Sequence, residues 1–102
     1  MNDIICLSNK NNALILQSIG VMVIVQTNPM LLSESYKEIL QKEPKIIIID
    51  ISLSKYLSDI IKKTEEMIYP IILWLPFTKS DMGKNFQEIE VIVEHAIGIS
   101  VT

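Results

Sequence analysis

The sequence has little of several things on which whole classes of function depend. Cys6 is the single cysteine among 102 residues, so the chain has no internal disulfide and suits a reducing compartment. Three glycines leave no G-x-x-x-x-G-K-[ST] phosphate loop, and no glycine-rich dinucleotide turn follows the first predicted strand. The formal net charge of −3 argues against a nucleic-acid-binding domain, because such domains carry a basic stripe.

Long apolar runs are absent as well. The two longest runs, at 19–25 and 69–77, are well short of the ~20 residues that a membrane-spanning helix needs. The sequence begins Met1-Asn2-Asp3, without the basic residues and apolar stretch of a secretory signal. We therefore expect a cytoplasmic protein with no direct membrane insertion.

What the sequence does have is an alternation of short apolar runs with amphipathic segments. The runs are rich in Ile and Val, which predicts strands covered on both faces. The predicted strands are 3–7, 21–26, 45–50 and 70–75. We expect one flavodoxin-like (receiver-like) doubly wound α/β domain over 1–102, with four parallel strands in the order 2-1-3-4, flanked by helices, and a short tail at 98–102.

The segments between the strands have helical spacing and matching end signals. Asn28-Pro29 predicts a helix cap followed by proline in the first turn, and Gly20 predicts the end of the first helix. Residues 78–85 are polar and contain Gly83, which predicts a loop.

Periodicity identifies the residues that we expect in the core. The third helix should bury Leu53, Tyr56, Leu57, Ile60, Ile61, Thr64, Met67 and Ile68. The last helix should bury Phe86, Ile89, Val93, Ala96 and Ile97. Among strand residues we expect burial of Ile5, Val23, Ile47, Ile49, Ile72 and Trp74.

Asp50 ends the run IIIID and is the strand-end residue that most suggests chemistry. A receiver-type phosphoacceptor also needs an acidic pair after the first strand to hold Mg²⁺, a hydroxyl after the fourth strand and a lysine after a fifth. The chain has Ser8-Asn9 and Leu75-Pro76 at the first two places and no fifth strand. We therefore interpret Asp50 as a capping residue, with Ser52 as a competitor for that role. A phosphoacceptor is the alternative.

The remaining candidates also favour structural roles. His95 has no neighbouring cysteine or second histidine, so a metal site is not expected, and Cys6 lies inside a strand as a packing residue. We predict no catalytic residue, no cofactor-binding residue and no bound cofactor.

Four stretches in order carry a family resemblance over essentially the full length. They are SNKNNALILQSIG (8–20), TNPMLLSESYKEIL (27–40), YPIILWLP (69–76) and VEHAIGISV (93–101). In this pattern the chain resembles the F subunit of the V-type (A-type) ATP synthase, a small rotor protein. It departs from the family at three places: the Gly-Asp after the first strand is Ser8-Asn9, a Gly-Phe is Ile15-Leu16, and a strand-end threonine is Asp50.

The resemblance implies a non-catalytic part of the central stalk. Such a rotor protein binds the long coiled coil of the D subunit and turns with it inside the catalytic A/B hexamer. Rotation couples ATP hydrolysis or synthesis to proton or sodium transport, so the protein would be cytoplasmic and peripheral to the membrane. The alternative is a degenerate receiver-like signalling domain that binds a partner without a functional phosphoacceptor.

The end of the sequence offers a candidate partner surface. In the last helix Val91 points away from the predicted core face and Ile92 lies at its boundary. Ile99 and Val101 follow Gly98, which predicts the end of that helix. We expect these four residues to contact the coiled coil of the D subunit, with the loop 78–85 as the next choice. The alternative is scattered surface hydrophobes and a frayed tail.

Overall fold

The computed structural model of the chain describes residues 3–63, 70–78, 83–84 and 86–94. Its strands are β1 (Ile4–Ser8), β2 (Met22–Val25), β3 (Ile46–Asp50) and β4 (Ile71–Leu75). All of them are parallel and form one sheet in the order β2-β1-β3-β4. The predicted α/β class and strand order are confirmed, and each predicted strand agrees to within one residue at either end.

The helical segments follow the strands. A 3-10 helix spans Asn11–Ile19 after β1, where a helix was expected. After β2, the 3-10 turn Pro29–Leu31 continues into α1 (Leu32–Gln41). After β3, the 3-10 turn Ile51–Leu53 continues into α2 (Ser54–Lys62). Residues 86–94 are helical, and so are 83–84, which corrects the predicted loop at those two positions.

Two predicted end signals act as expected. Gly20 closes the first helix with φ of 91°, a left-handed conformation that only glycine adopts without strain, and its N–H donates to the carbonyl of Gln17. The Asn28 side chain accepts a hydrogen bond of 3.0 Å from the backbone N–H of Met30, and Pro29 follows it. These signals fix where the chain turns back towards the sheet.

The core lies on both faces of the sheet, because alternate residues of a strand point to opposite sides. We call one side the first-helix face. Its buried residues are Ile4, Cys6, Ala13, Leu16, Val21, Ile48, Phe77, Ile89 and Val93. We call the other the α1–α2 face. Its buried residues are Ile5, Leu7, Leu32, Tyr36, Ile39, Ile47, Ile49, Leu53, Leu57 and Ile61.

Six of the predicted core positions need correction. Ile60 and Phe86 are half-buried and pack against the core of the α1–α2 face and of the first-helix face, respectively. Val23, Ile72 and Trp74 are half-buried, because β2 and β4 are the edge strands of the sheet and have a neighbour on one side. Tyr56 is 42% exposed, although its neighbour Leu57 on α2 is fully buried. Other predictions lie outside the described residues: Thr64, Met67, Ile68, Ala96, Ile97, the tail at 98–102, and 79–82 and 85 of the loop.

Candidate functional site

A cluster of polar side chains lies at the carboxyl ends of the two central strands. Ser8 is the last residue of β1, Asp50 is the last residue of β3, and β1 and β3 are neighbours. Parallel strands present their carboxyl ends at one edge of a sheet, which is where ligands bind in open α/β folds. Lys10 and Ser52 follow the two strands and complete the cluster.

The Asp50 carboxylate accepts four hydrogen bonds. Its Oδ2 accepts from Lys10 Nζ at 2.7 Å and from Ser8 Oγ at 3.1 Å. Its Oδ1 accepts from the Ser52 hydroxyl at 2.9 Å and from the Ser52 backbone N–H at 3.0 Å. Two carboxylate oxygens offer about four lone-pair sites, so these four donors saturate the group.

The two serines also hold the lysine in place. Lys10 Nζ donates a second hydrogen bond to Ser52 Oγ at 3.2 Å, and the Lys10 backbone N–H donates to Ser8 Oγ at 3.1 Å. The Asp50 side chain is 1% exposed, whereas that of Lys10 is 36% exposed. The ion pair therefore has a buried anion and a cation that water can reach.

The electrostatics of Asp50 follow from this geometry. Burial alone would raise its pKa, but hydrogen bonds from Lys10 and Ser52 and the Lys10 charge outweigh it and hold the pKa below the ordinary 3.8. Asp50 is therefore ionised at neutral pH. On the first-helix face, burial raises the pKa of the Cys6 thiol to about 12, and the nearby Asp50 charge adds to this. Cys6 is thus a neutral, buried packing residue, as predicted.

This arrangement confirms the capping interpretation of Asp50 and corrects one part of the argument for it. Asp50 caps the turn Ile51–Leu53 by accepting the Ser52 N–H, so Ser52 is its donor and not its competitor. Asp50 does have a lysine partner that the sequence analysis missed: Lys10, which comes from the segment after β1 and not from the fifth strand of a receiver-type site. A carboxylate whose lone pairs are all engaged is a poor nucleophile and a strong anchor between two strand ends.

A sequence signal for the missed residue does exist. Lys10 stands two positions beyond the end of β1, and the predicted order 2-1-3-4 already makes the exits of β1 and β3 neighbours. A cation just past one strand and a carboxylate at the end of the next are within reach of each other.

No described residues gather into a recognisable metal site: nowhere in 3–63, 70–78, 83–84 or 86–94 do three or more His, Cys, Asp or Glu come together. His95 lies outside those ranges. In the described part of the chain, no helix has the length and apolar character needed to cross a membrane.

The predicted partner residues divide into three cases. Val91 is 51% exposed, on the side of its helix opposite Ile89. Ile92 is half-buried and packs against the core of the first-helix face. Ile99 and Val101 lie outside the described residues.

Comparison with known families decides what kind of protein carries this fold. Residues 4–93 match the model of the family described as ATP synthase (F/14-kDa) subunit. The match runs from the first residue of β1 to Val93, so it includes the whole sheet. The chain belongs to this family. No curated protein and no solved structure matches the chain significantly.

Membership in the family makes the chain one of the subunit types of the ATP synthase complex. The matched range contains every member of the Asp50 cluster and also Val91 and Ile92. It leaves out Ile99 and Val101.

Proposed function

We propose that this protein is the F subunit, a rotor component, of a V-type or A-type ATPase or ATP synthase. It binds the coiled coil of the D subunit, turns with it inside the catalytic A/B hexamer, and helps couple ATP hydrolysis or synthesis to proton or sodium transport. The observation that carries the proposal is the family match over 4–93, which spans all four strands and nearly all of the helix at 86–94. The protein acts in the cytoplasm, peripheral to the membrane as part of the complex.

The role is one of binding and not of catalysis. What supports this is the state of Asp50, the residue at the usual ligand-binding edge of the sheet. Its carboxylate is buried and accepts four hydrogen bonds from within the chain. Treatment with a small acyl phosphate and Mg²⁺ should leave the mass of the protein unchanged. A mass increase that disappears in Asp50→Asn would favour the receiver-like alternative instead.

The coiled coil contacts the outer side of the helix at 86–94. Val91 supports this, since it exposes half of a branched apolar side chain on the side of the helix opposite the buried Ile89. Ile92 contributes its accessible part, and the proposal extends to Ile99 and Val101 beyond the described residues. Apolar contacts of this kind suit a rotor protein that must hold a coiled coil against torque.

The test is co-expression with the coiled-coil D subunit, followed by co-purification and measurement of the affinity. Val91→Glu should weaken binding by about 2 kcal/mol, or about thirtyfold, because it places a charge in the apolar contact. Gln41→Glu is the matched control, since Gln41 is exposed at the end of α1, which packs on the other face of the sheet, and the change adds the same charge.

Three results separate the parts of this proposal. Failure of the unmodified chain to bind the coiled coil contradicts the rotor function itself. Equal binding by the wild type and Val91→Glu, together with unchanged binding after deletion of 99–102, moves the contact surface elsewhere and leaves the function standing. Equal weakening by Val91→Glu and Gln41→Glu indicates a general charge effect.

A further inference from the structure

A groove lies beside α2 on the α1–α2 face, next to the edge strand β4. Its volume is about 420 Å³. Its lining residues are Ile51, Ser54, Ser58, Ile61, Lys62 and Trp74. Trp74 comes from β4 and the other five come from α2 and the turn before it, so the groove separates the helix from the sheet edge.

The groove is elongated in the direction of α2. Its α2-side residues recur mostly at intervals of three or four positions, which makes one stripe along the helix. Ile51 and Lys62 are eleven positions apart, which corresponds to about 16 Å along the axis, or about three turns. A second helix fits a groove of this length and direction, because helices pack side by side at about 8–10 Å.

The walls of the groove can be covered at little cost. Trp74 is half-buried and Ile51 is 51% exposed, so both still have apolar surface to bury. The Ser58 hydroxyl already donates to the carbonyl of Ser54 within α2. A partner that covers it leaves no new unsatisfied donor, and the small side chains at 54 and 58 allow close approach. Tryptophan is also among the residue types most often found at the energetic centre of protein interfaces.

Charge selects the kind of partner. Lys62 stands at one end of the groove, and Lys55 lies seven residues earlier on the same side of α2, with its Nζ 5.1 Å from the centroid of the Tyr56 ring. Within the described ranges neither lysine forms an ion pair, although Asp59 stands one helical turn from each of them, on the side of α2 away from the groove. The groove thus has a positive rim on a chain whose net charge is −3.

We propose that this groove binds an amphipathic α-helix of a partner protein. The helix lays an apolar stripe against Ile51 and Trp74 and places carboxylates about two turns apart against Lys55 and Lys62. Helix-in-groove recognition of this kind takes its affinity from the apolar stripe and its selectivity from the charged rim.

This surface is separate from the one proposed for the coiled coil of the D subunit. Trp74 and Ile61 belong to the α1–α2 face, whereas the helix at 86–94 packs on the first-helix face. One partner helix cannot cover Val91 and fill the groove, because the sheet lies between them. The groove therefore takes a second helix, and the proposal stands or falls independently of binding to the coiled coil.

The test uses Trp74 as the reporter, since it is the only tryptophan of the chain. The probe is a designed helical peptide without tryptophan, with leucines on one stripe and flanking glutamates seven residues apart. Titration into the full-length protein should give a saturable blue shift of the emission. A peptide with lysines in place of the glutamates should bind about fivefold more weakly or worse, the effect of losing one surface ion pair or more.

Two exposed neighbours supply matched variants. Lys62→Glu should weaken binding of the glutamate peptide about fivefold and strengthen that of the lysine peptide, whereas Lys63→Glu makes the same charge change outside the groove and should do neither. Ile51→Glu should abolish the shift. The proposal is overturned by absence of a saturable shift, by equal effects of Lys62→Glu and Lys63→Glu, or by no difference between the peptides.

A final titration tests the separation of the two surfaces. With the coiled coil of the D subunit bound, the glutamate peptide should bind as before. Competition between them would overturn the proposal of a second partner and assign the groove to the coiled coil. Failure of the coiled coil to bind at all would contradict the rotor function, while the peptide titration would still decide the groove.

Discussion

The central strands and the edge strands of the sheet have similar apolar compositions, but they differ greatly in burial. Residues 47–49 of β3 are isoleucines with no exposed surface, and β1 is buried along its whole length. All residues of β2 and most of β4 are half-buried, although they are as apolar. The difference comes from position in the sheet and not from composition, because an edge strand lacks a neighbour on one side.

The same contrast holds for the turns that follow the strands. Asn28 caps the turn after the edge strand β2 with one hydrogen bond to Met30 N–H and is exposed. Asp50 caps the turn after the central strand β3 with an N–H bond of the same 3.0 Å length, but it is buried and has three further donors. At the end of a central strand, the capping residue therefore also connects the carboxyl ends of two neighbouring strands.

The largest expected effect is on the free energy of unfolding, and it compares alanine substitutions at Ile47 and at its register partner Ile72. Both face the α1–α2 side, and they lie opposite each other on β3 and β4. Ile47→Ala should lower the free energy of unfolding by about 2–5 kcal/mol, because it leaves a cavity in close-packed surroundings. Ile72→Ala should cost about 1–2 kcal/mol, since water already reaches part of that side chain.

Urea unfolding of the two variants, followed by far-UV circular dichroism, measures this difference. Ile47→Val serves as the conservative control and should cost about 0.5–1.5 kcal/mol. Equal losses for Ile47→Ala and Ile72→Ala would show that the edge of the sheet is covered as fully as its centre.

The second-largest effect on stability concerns the ion pair between Lys10 and Asp50. Lys10→Met keeps most of the aliphatic length of the side chain and removes its charge, which leaves Asp50 buried with serine donors alone. Because Lys10 is partly exposed and water can replace some of its contact, we expect a loss of about 1–3 kcal/mol at pH 7. Lys42→Met, at an exposed position after α1, is the matched control and should be nearly neutral.

The pH dependence gives an independent measurement of the same pair. The pKa of Asp50 is lower in the folded protein than the ordinary 3.8, so its stabilising contribution is present above pH 3.8 and is lost as the pH falls through the folded value. Wild-type stability should therefore fall more steeply below pH 3.8 than that of Asp50→Asn. Parallel curves for the two proteins in acid would mean that the pair does not favour the ionised form.

The same residues show how much of the fold and of the Asp50 cluster the sequence predicts. Isoleucine runs separated by amphipathic segments were enough for the parallel order, because few other arrangements bury apolar runs of that length on two faces. The half-burial of Trp74 also follows from the predicted order, because that order puts the fourth strand at an edge of the sheet, whereas the apolar run alone predicts full burial. The nearness of Lys10 to Asp50 follows from the strand order, but the contact between the ammonium and the carboxylate depends on the rotamer of a long side chain at the cap position before the 3-10 helix, which the sequence does not specify.

The smallest expected effect belongs to the exposed cap. Asn28→Ala removes the acceptor for Met30 N–H, but the turn is at the surface and water can take the place of the lost oxygen. We expect a loss of about 1 kcal/mol, with Asn28→Asp as a control that keeps the acceptor and is close to neutral. Asp50→Ala should cost clearly more, because it leaves the buried Ser8 hydroxyl without its acceptor and removes the acceptor that Lys10 and Ser52 share. Equal losses of stability for Asn28→Ala and Asp50→Ala in urea unfolding would show that the cap at the end of the central strand β3 stabilises the fold no more than the cap at the end of the edge strand β2.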